Sequence, residues 1–375
     1  FSCSLILEFL SRKDYLNYLN AILRVYNRHG NRDNKYKARI KILVRAWTAE
    51  VFAQEVEDEW EYTKDTLGRL TQEEIDRVKG FFTQPPYESL NNKISDEELA
   101  ILAENNIAFG KWLQRNTRSH KIPGYTSVTL SLKPTGVAPG DVTDSQLEVI
   151  ADLADAYSFG EIRATHNQNL VLADVKKSDL FKLWEKAKVS GFATPNIGTL
   201  TDMICCPGGD FCSLANAKSI PIAEAIQRKF DDIDYIYDLG DLSLNISGCM
   251  NACGHHHVGN IGILGVDKKG AEFYQIQLGG NAGSDTSLGG VLGPSFGENE
   301  VPEVVEKILT IYIEQRKGDE SFLDTYRRIG VTPFKESVYP KDKKISNIHK
   351  DQGLKHCLIY KTNAADEQRS GKPGR

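Results

Sequence analysis

Four cysteines in two closely spaced pairs constrain this chain more than any other feature of its sequence. The first pair lies in CPGGDFC, residues 206–212, the second in CMNAC, residues 249–253, and 36 residues separate the pairs. Each short spacing puts two sulfur atoms on one turn or loop, and the glycines at 208 and 209 let the first loop bend around a bulky ligand. The pattern predicts two loops that together present four thiolates, from Cys206, Cys212, Cys249 and Cys253.

Two kinds of metal centre suit such a set of thiolates. A [4Fe–4S] cluster binds one cysteine sulfur at each iron corner, so four thiolates from two loops match it. Structural zinc is the main alternative, because four cysteines, or cysteines with histidines, are its usual ligands. Zinc modules favour about two to four residues within a pair, so the spacing of five with two glycines favours the cluster. The remaining alternative is that the cysteines are buried and bind nothing.

The other three cysteines and a run of three histidines are expected to have roles other than joint metal binding. Cys205 adjoins Cys206 and cannot easily share its direction, so we expect it in the core, and we expect Cys3 and Cys357 to take no part in the site. Three histidines occupy 255–257, directly after the second pair. Because neighbouring side chains diverge, they cannot all face one metal; we expect one or two to line an anion pocket or to relay protons.

Composition limits the functional classes. The chain has 375 residues, 40% apolar and 26% charged, with a net charge of −5, which allows a buried core and argues against a general nucleic-acid binder. No apolar run approaches the ~20 residues that span a bilayer, so no membrane partner is expected. Without a secretory leader pattern, we expect a cytoplasmic protein. Seven cysteines, an odd number, then indicate metal binding or catalysis and not a disulfide framework.

Hydrophobic periodicity predicts an α+β chain. Residues 12–60 have helical spacing, 125–132 alternate as a half-buried strand, and Thr143 with Gln146 forms a capping box for the next helix. Ser178 is expected to cap the following helix. The order β-α-β-β-α predicts a ferredoxin-like half-domain, followed by a mixed α/β domain that carries the cysteines. The expected boundaries are a helical part at 1–90, a helical linker at 91–120, the ferredoxin-like half-domain at 121–195, the cysteine domain at 196–337 and a flexible tail at 338–375.

A basic segment precedes these domains. Residues 24–45 contain eight Lys or Arg and one acid, Asp33. Such a run is typical of a solvated helical face, and the functional alternative is a docking surface for a polyanion.

Several of these motifs together resemble one enzyme family. CPGGDFC, SGCMNACGHHHVGNIGILG and YQIQLGGN resemble the C-terminal half of the siroheme-containing nitrite/sulfite reductases, whose pattern is C-x5-C, a gap, then [ST]-G-C-x3-C and a strand. IRATHNQNL resembles the turn of that family's second ferredoxin-like half. Residues 12–60 resemble the end of the preceding half, so that 1–90 would be the C-terminal part of the first siroheme-binding half. The resemblance covers about residues 12–337.

The resemblance implies cofactors and their ligands. The four paired cysteines would bind a [4Fe–4S] cluster, and Cys253 would also bridge to the siroheme iron as its axial ligand, which makes it the catalytic residue. Siroheme carries many carboxylates, so it would be a polyanionic partner for the basic segment. Within that segment, Arg39 matches a family residue that holds the macrocycle. Gln168 and Asn251 match family positions around the siroheme, so the mixed domain would bind both cofactors.

The activity implied is the assimilatory six-electron reduction of sulfite to sulfide. Because no nicotinamide or flavin motif is found, electrons would come from a partner, either a flavoprotein reductase or a ferredoxin. The alternatives are nitrite reduction to ammonia by the same cofactors and, from another class, a zinc-stabilised binding module without catalysis. The family's first ferredoxin-like half and the side chains that clamp the anion would lie upstream of Phe1. We therefore expect a truncated chain that holds the cluster ligands without the substrate cage.

Overall fold

The computed structural model describes residues 5–34, 37–65, 70–90 and 92–340, and the chain separates into two compact units, 1–87 and 88–375. Cys3, Cys357 and the part of the predicted tail from 341 onward lie outside the described residues. Among the helices that are described, none is long and apolar enough to cross a membrane.

The first unit is helical. Its core forms where the helix Tyr15–His29 packs on the helix Ala49–Thr63, through Tyr18, Val25, Phe52 and Val56. The region predicted to be helical, 12–60, is not one continuous helix, since one helix ends at His29 and the next begins at Ile40. Thr48, with a φ of 77°, then ends the second helix, and its side chain caps the third. The helices of this unit are α1 Tyr15–His29, α2 Ile40–Trp47, α3 Ala49–Thr63 and α4 Gln72–Lys79.

The second unit begins with an antiparallel sheet packed on helices. Val128, Leu130 and Leu172 lie in the core between the sheet and the helices, and the four strands, numbered along the chain, lie side by side in the order first, second, fourth, third. The elements are α5 Asn92–Asn105, α6 Ile107–Asn116, β1 Thr117–Ser119, β2 Tyr125–Leu130, α7 Asp144–Tyr157, β3 Arg163–Ala164, β4 Leu170–Lys176 and α8 Leu180–Val189.

Local predictions for this sheet have mixed outcomes. The capping box is confirmed, since Thr143 Oγ1 accepts from the Gln146 amide at 3.2 Å and the Gln146 side chain accepts from the Thr143 amide at 3.0 Å. The predicted Ser178 cap is wrong, because a 3-10 turn runs through this residue and α8 starts only at 180. The predicted linker 91–120 does more than connect, since Phe109 and Trp112 of α6 are fully buried in this core.

A second, five-stranded sheet carries the cysteines. Its five strands lie side by side in chain order; the first three are mutually parallel, and the last two pairings are antiparallel. The elements are β5 Ile204–Cys205, α9 Gly208–Phe211, α10 Ile220–Lys229, α11 Ile233–Leu239, β6 Leu244–Ser247, β7 Ile261–Lys268, β8 Ala271–Leu278, β9 Gly290–Val291, α12 Val301–Gln315, α13 Phe322–Ile329 and α14 Thr332–Val338.

The parallel pairing of β5 with β6 decides where the cysteines lie. Cys206 directly follows β5, and Cys249 follows β6 by two residues. The carboxyl ends of parallel neighbours meet at one edge of a sheet, which is where α/β proteins place their ligands. The α+β class is confirmed, and the fold brings both cysteine loops to the same edge.

Candidate metal and cofactor site

The first cysteine loop, residues 206–212, is folded by backbone hydrogen bonds. The Cys206 amide donates to Ile246 O at 3.1 Å, which continues the pairing with β6 by one residue. The loop then forms the single helical turn of α9, closed by the Cys212 amide donating to Gly208 O at 2.9 Å. Cys206 and Cys212 therefore lie on either side of this single turn.

The second cysteine loop, residues 249–253, folds back against β6. Its end is held by the Gly254 amide, which donates to Ser247 Oγ at 3.1 Å. A side chain at this glycine would put its Cβ 1.9 Å from Ile246 O, so only glycine permits the close approach. Ser247 and Gly254 therefore close the loop that carries Cys249 and Cys253.

The two loops touch through backbone and sulfur. The Gly248 amide donates to Cys206 Sγ at 3.1 Å, which binds the thiol of the first loop to the residue preceding Cys249. Gly248 O accepts from the Ala217 amide at 3.0 Å, and a Cβ on Gly248 would lie 2.6 Å from Ala217 O and 2.9 Å from Gly208 Cα. The second loop can approach the first this closely only because residue 248 has no side chain.

The sulfur atoms differ in exposure and do not meet at one point. Cys249 is buried, Cys206 and Cys212 are half-buried and Cys253 is exposed, all as free thiols. Across the described residues, no three His, Cys, Asp or Glu side chains lie together closely enough to hold a metal ion. The donor chemistry and the adjoining loops fit an iron–sulfur cluster, while the joint ligation by all four cysteines stays a prediction.

The residues next to the paired cysteines, which are Cys205 and the histidines at 255–257, differ in burial and in pKa. Cys205 is in the core as predicted, and burial raises the pKa of its thiol. His256 is 4% exposed, and burial, with smaller contributions from the flanking histidines, lowers its pKa to about 4. A pKa this low does not suit proton relay near neutral pH, so His256 is a poor candidate for that role. His257 is half-buried and its pKa is lowered for the same reasons, whereas His255 is exposed.

The residues expected around the siroheme have different surroundings. Asn251 is exposed in the second loop, and Arg39 is exposed immediately before α2 in the first unit. Gln168 is at the tip of the turn between β3 and β4, and its side-chain amide is paired with the backbone of Cys205.

Part of the basic segment serves the fold. Arg24 and Arg28 both form ion pairs with Glu59, whose side chain is 5% exposed. Burial by itself would raise the pKa of Glu59, but the two guanidinium groups outweigh it and hold this pKa below its ordinary value. These two arginines are therefore committed to packing α1 on α3.

A buried ion pair near the cysteines was not predicted from the sequence. Lys133 Nζ lies 2.6 Å from Asp202 Oδ1, with 0% and 4% of the two side chains exposed. Asn169 Nδ2 donates to the same carboxylate at 2.9 Å. Lys133 follows β2 by three residues and Asp202 precedes β5 by two, and neither local pattern indicates a partner 69 positions away.

Comparison with known proteins identifies similar chains. The family model described as the nitrite and sulphite reductase 4Fe-4S domain matches residues 3–64 and 198–346, more than half of the chain. The model described as the nitrite/sulfite reductase ferredoxin-like half domain matches residues 124–189, in agreement with the predicted half-domain.

The similar proteins include enzymes named as nitrite reductases and enzymes named as sulfite reductases. An assimilatory ferredoxin-dependent nitrite reductase from Haloferax mediterranei is 24% identical over 310 residues, 81% of this chain and 48% of that protein. A sulfite reductase [ferredoxin] from Mycolicibacterium paratuberculosis is 25% identical over 314 residues, 80% of this chain and 49% of that protein. The chain thus spans about half the length of the curated relatives it matches. The solved structure of the Mycobacterium tuberculosis NirA protein shares the fold, with a TM-score of 0.59, 22% identity, and coverage of 86% of this chain and 53% of that one.

Proposed function

Because the chain belongs to the nitrite and sulphite reductase family, we propose that it reduces sulfite to sulfide with six electrons at a siroheme coupled to a [4Fe–4S] cluster. The family match implies both cofactors. The observation that carries the proposal is the contact between the two cysteine loops, in which the Gly248 amide donates to Cys206 Sγ at 3.1 Å. Backbone amides directed at sulfur are characteristic of thiolates that bind iron–sulfur clusters, because they stabilise the negative charge.

Each cysteine has a proposed role. Cys206, Cys212 and Cys249 are proposed to bind the cluster alone, and Cys253 to bind it and the siroheme iron. The exposure of the thiols supports this division, since Cys253 is the exposed member of the set and can reach a second group. Asn251 and Arg39 are proposed siroheme contacts; both are exposed, and Arg39 carries a charge opposite to that of the siroheme carboxylates.

The chain's own residues would prepare this site in two ways. When bound, the coupled cofactors supply single electrons to an anion at the siroheme iron. The Gly248 amide donates to Cys206 Sγ, and the second loop, closed by Ser247 and Gly254, carries Cys249 buried and Cys253 exposed.

Substrate and donor are part of the proposal. Relatives named for sulfite and for nitrite match with nearly equal identity, so nitrite reduction to ammonia is the second candidate. Several relatives are named as ferredoxin-dependent, which favours a ferredoxin over a flavoprotein reductase as the electron donor. We place the reaction in the cytoplasm, as the sequence suggested.

The cluster is tested by anaerobic reconstitution of the full chain with iron, sulfide and siroheme. We expect about four acid-labile sulfides and about five irons per chain, four in the cluster and one in the siroheme, together with porphyrinoid absorption bands. Replacing any one ligand by serine, in Cys206→Ser, Cys212→Ser, Cys249→Ser and Cys253→Ser, should remove most of the cluster iron. Cys205→Ala is the matched control, because this neighbour is a core thiol, and it should bind iron as the parent does. A colourless chain that holds zinc would contradict the proposal and favour the binding module.

The substrate is tested separately on the loaded chain with a chemically reduced viologen as donor. We expect sulfide from sulfite, and a kcat/KM for sulfite above that for nitrite. The opposite ratio would make nitrite the substrate. Loaded chain that turns over neither anion would contradict reduction by this chain and leave the cluster result standing.

A further inference from the structure

The strand that precedes Cys206 is held from both sides. β5 is the edge strand of its sheet, and β6 pairs with one side of it. On the other side, Gln168 Nε2 donates to Cys205 O at 2.8 Å and the Cys205 amide donates to Gln168 Oε1 at 2.8 Å. The side-chain amide thus satisfies the two backbone groups that a neighbouring strand would otherwise pair.

The turn that carries Gln168 is built to point this side chain outward. The Thr165 amide and hydroxyl both donate to Asn169 O at 3.0 Å, which closes the turn between β3 and β4. Gln168 at its tip has a φ of 58°, a left-handed conformation that costs a non-glycine residue on the order of 1 kcal/mol. A strained residue is retained where the surrounding contacts require it, and here the contact is with Cys205.

A buried network beneath the turn fixes it to the segment before β5. Lys133 Nζ donates to Asn167 O of the turn and to the carboxylate of Asp202, while Asn169 Nδ2 donates to that carboxylate as well. The Gly198 amide donates to Asp202 Oδ2 at 2.9 Å. The turn and the start of the cysteine strand therefore move together.

These contacts affect the position of the Cys206 thiol through the peptide bond that joins Cys205 to Cys206. Cys205 is held by Gln168, and the next residue is held by Ile246 O at its amide and by the Gly248 amide at its sulfur. Rotation of the strand about its axis would change the direction of the Cys206 side chain, and the Gln168 pairing resists that rotation.

We propose that Gln168 is a positioning residue that sets the orientation of the Cys206 thiolate toward the cluster, acting through the backbone of Cys205. The inference rests on the proposed function, because it presupposes that Cys206 binds a cluster. It assigns to Gln168 a contact with protein, and the siroheme contact that the family resemblance implies stays a separate prediction.

The test compares full-length loaded chains of parent, Gln168→Met and Gln168→Asn. Methionine has similar length without the amide, and asparagine keeps the amide on a shorter side chain. Gln315→Met is the matched control, since Gln315 is exposed at the end of α12. Two readouts are used: the rate of iron loss to a chelator, and the electron paramagnetic resonance spectrum of the reduced cluster with its reduction potential. The potential and spectrum report the geometry and hydrogen bonding at the sulfurs, which a loss of fold stability alone would not alter.

We expect Gln168→Met to lose iron about tenfold faster than the parent, as for two lost hydrogen bonds of modest net strength, with an altered spectrum and a shifted potential. The control should match the parent. If Gln168→Met loses iron at the same rate as the parent and gives an unchanged spectrum, the inference is wrong. If that variant does not fold, Gln168→Asn decides in the same way, with parent-like behaviour counting against the inference. A parent chain that binds no cluster would instead contradict the proposed function.

Discussion

Replacement of Lys133 by methionine tests whether the buried ion pair organises the region behind the cysteines. Methionine fills a similar volume, so the change removes charge and hydrogen bonds without opening a large cavity. Asp202 would stay buried with two of its donors, the Asn169 side chain and the Gly198 amide, both at 2.9 Å. Loss of one partner of a buried pair costs about 3–5 kcal/mol, and the two remaining donors place the expected cost near the lower figure, about 3 kcal/mol.

The assay is urea unfolding of the full chain followed by tryptophan fluorescence, because Trp112 and Trp184 lie in the core of the same unit. A loss of about 3 kcal/mol corresponds to about 6–12 °C in the melting temperature of a unit this large. Lys229→Met is the control, since Lys229 pairs with exposed Glu303 and Glu306 and should cost under about 1 kcal/mol.

A double variant separates this explanation from general disruption. Adding Asp202→Asn removes the uncompensated charge and should restore part of the stability. A deficit below about 1 kcal/mol, or a double variant less stable than Lys133→Met, would refute the reasoning.

Three other substitutions test separate parts of the structure. Gly248→Ala would place a Cβ 2.6 Å from Ala217 O; we expect a cost of about 1–3 kcal/mol in the free energy of unfolding and a lower iron content after reconstitution. Glu320→Gln removes a carboxylate whose pKa is lowered to about 2, chiefly by its hydrogen bond from Arg328. Its stabilisation is complete above the unfolded pKa of about 4.3 and is lost as the pH falls toward 2, so the difference in melting temperature should be present at pH 7 and shrink through that range. Trp112→Ala should cost about 3–5 kcal/mol by urea unfolding, because this ring is fully buried.

Each of these has a control on the same unit. Gly283→Ala adds a Cβ 3.5 Å from the nearest atom, an ordinary contact, and should change neither stability nor iron content. Glu314→Gln removes an exposed carboxylate and should leave the pH dependence of melting unchanged. Val189→Ala truncates an exposed side chain and should have little effect on unfolding. Equal effects in a variant and its control would contradict the corresponding explanation.

The sequence alone determined the order of the elements and the content of the two cysteine loops. Periodicity and capping are local properties, so the capping box at Thr143 and the strand that leads into Cys249 were predictable from a few neighbouring residues. The pair spacings were also visible without structure, because covalent distance limits how far two sulfurs on one loop can separate. The family resemblance rested on the same short segments.

Only the tertiary structure decided which distant groups meet. The pairing of Gln168 with Cys205 across 37 positions depends on where a turn of one sheet is placed beside the edge of another, and no local pattern encodes that placement. The commitment of Arg24 to Glu59 likewise depends on how two helices pack. Side-chain partners separated in sequence are selected by packing of the whole unit, where burial makes an unpaired charge or backbone group costly, and that cost is absent from any short stretch of sequence.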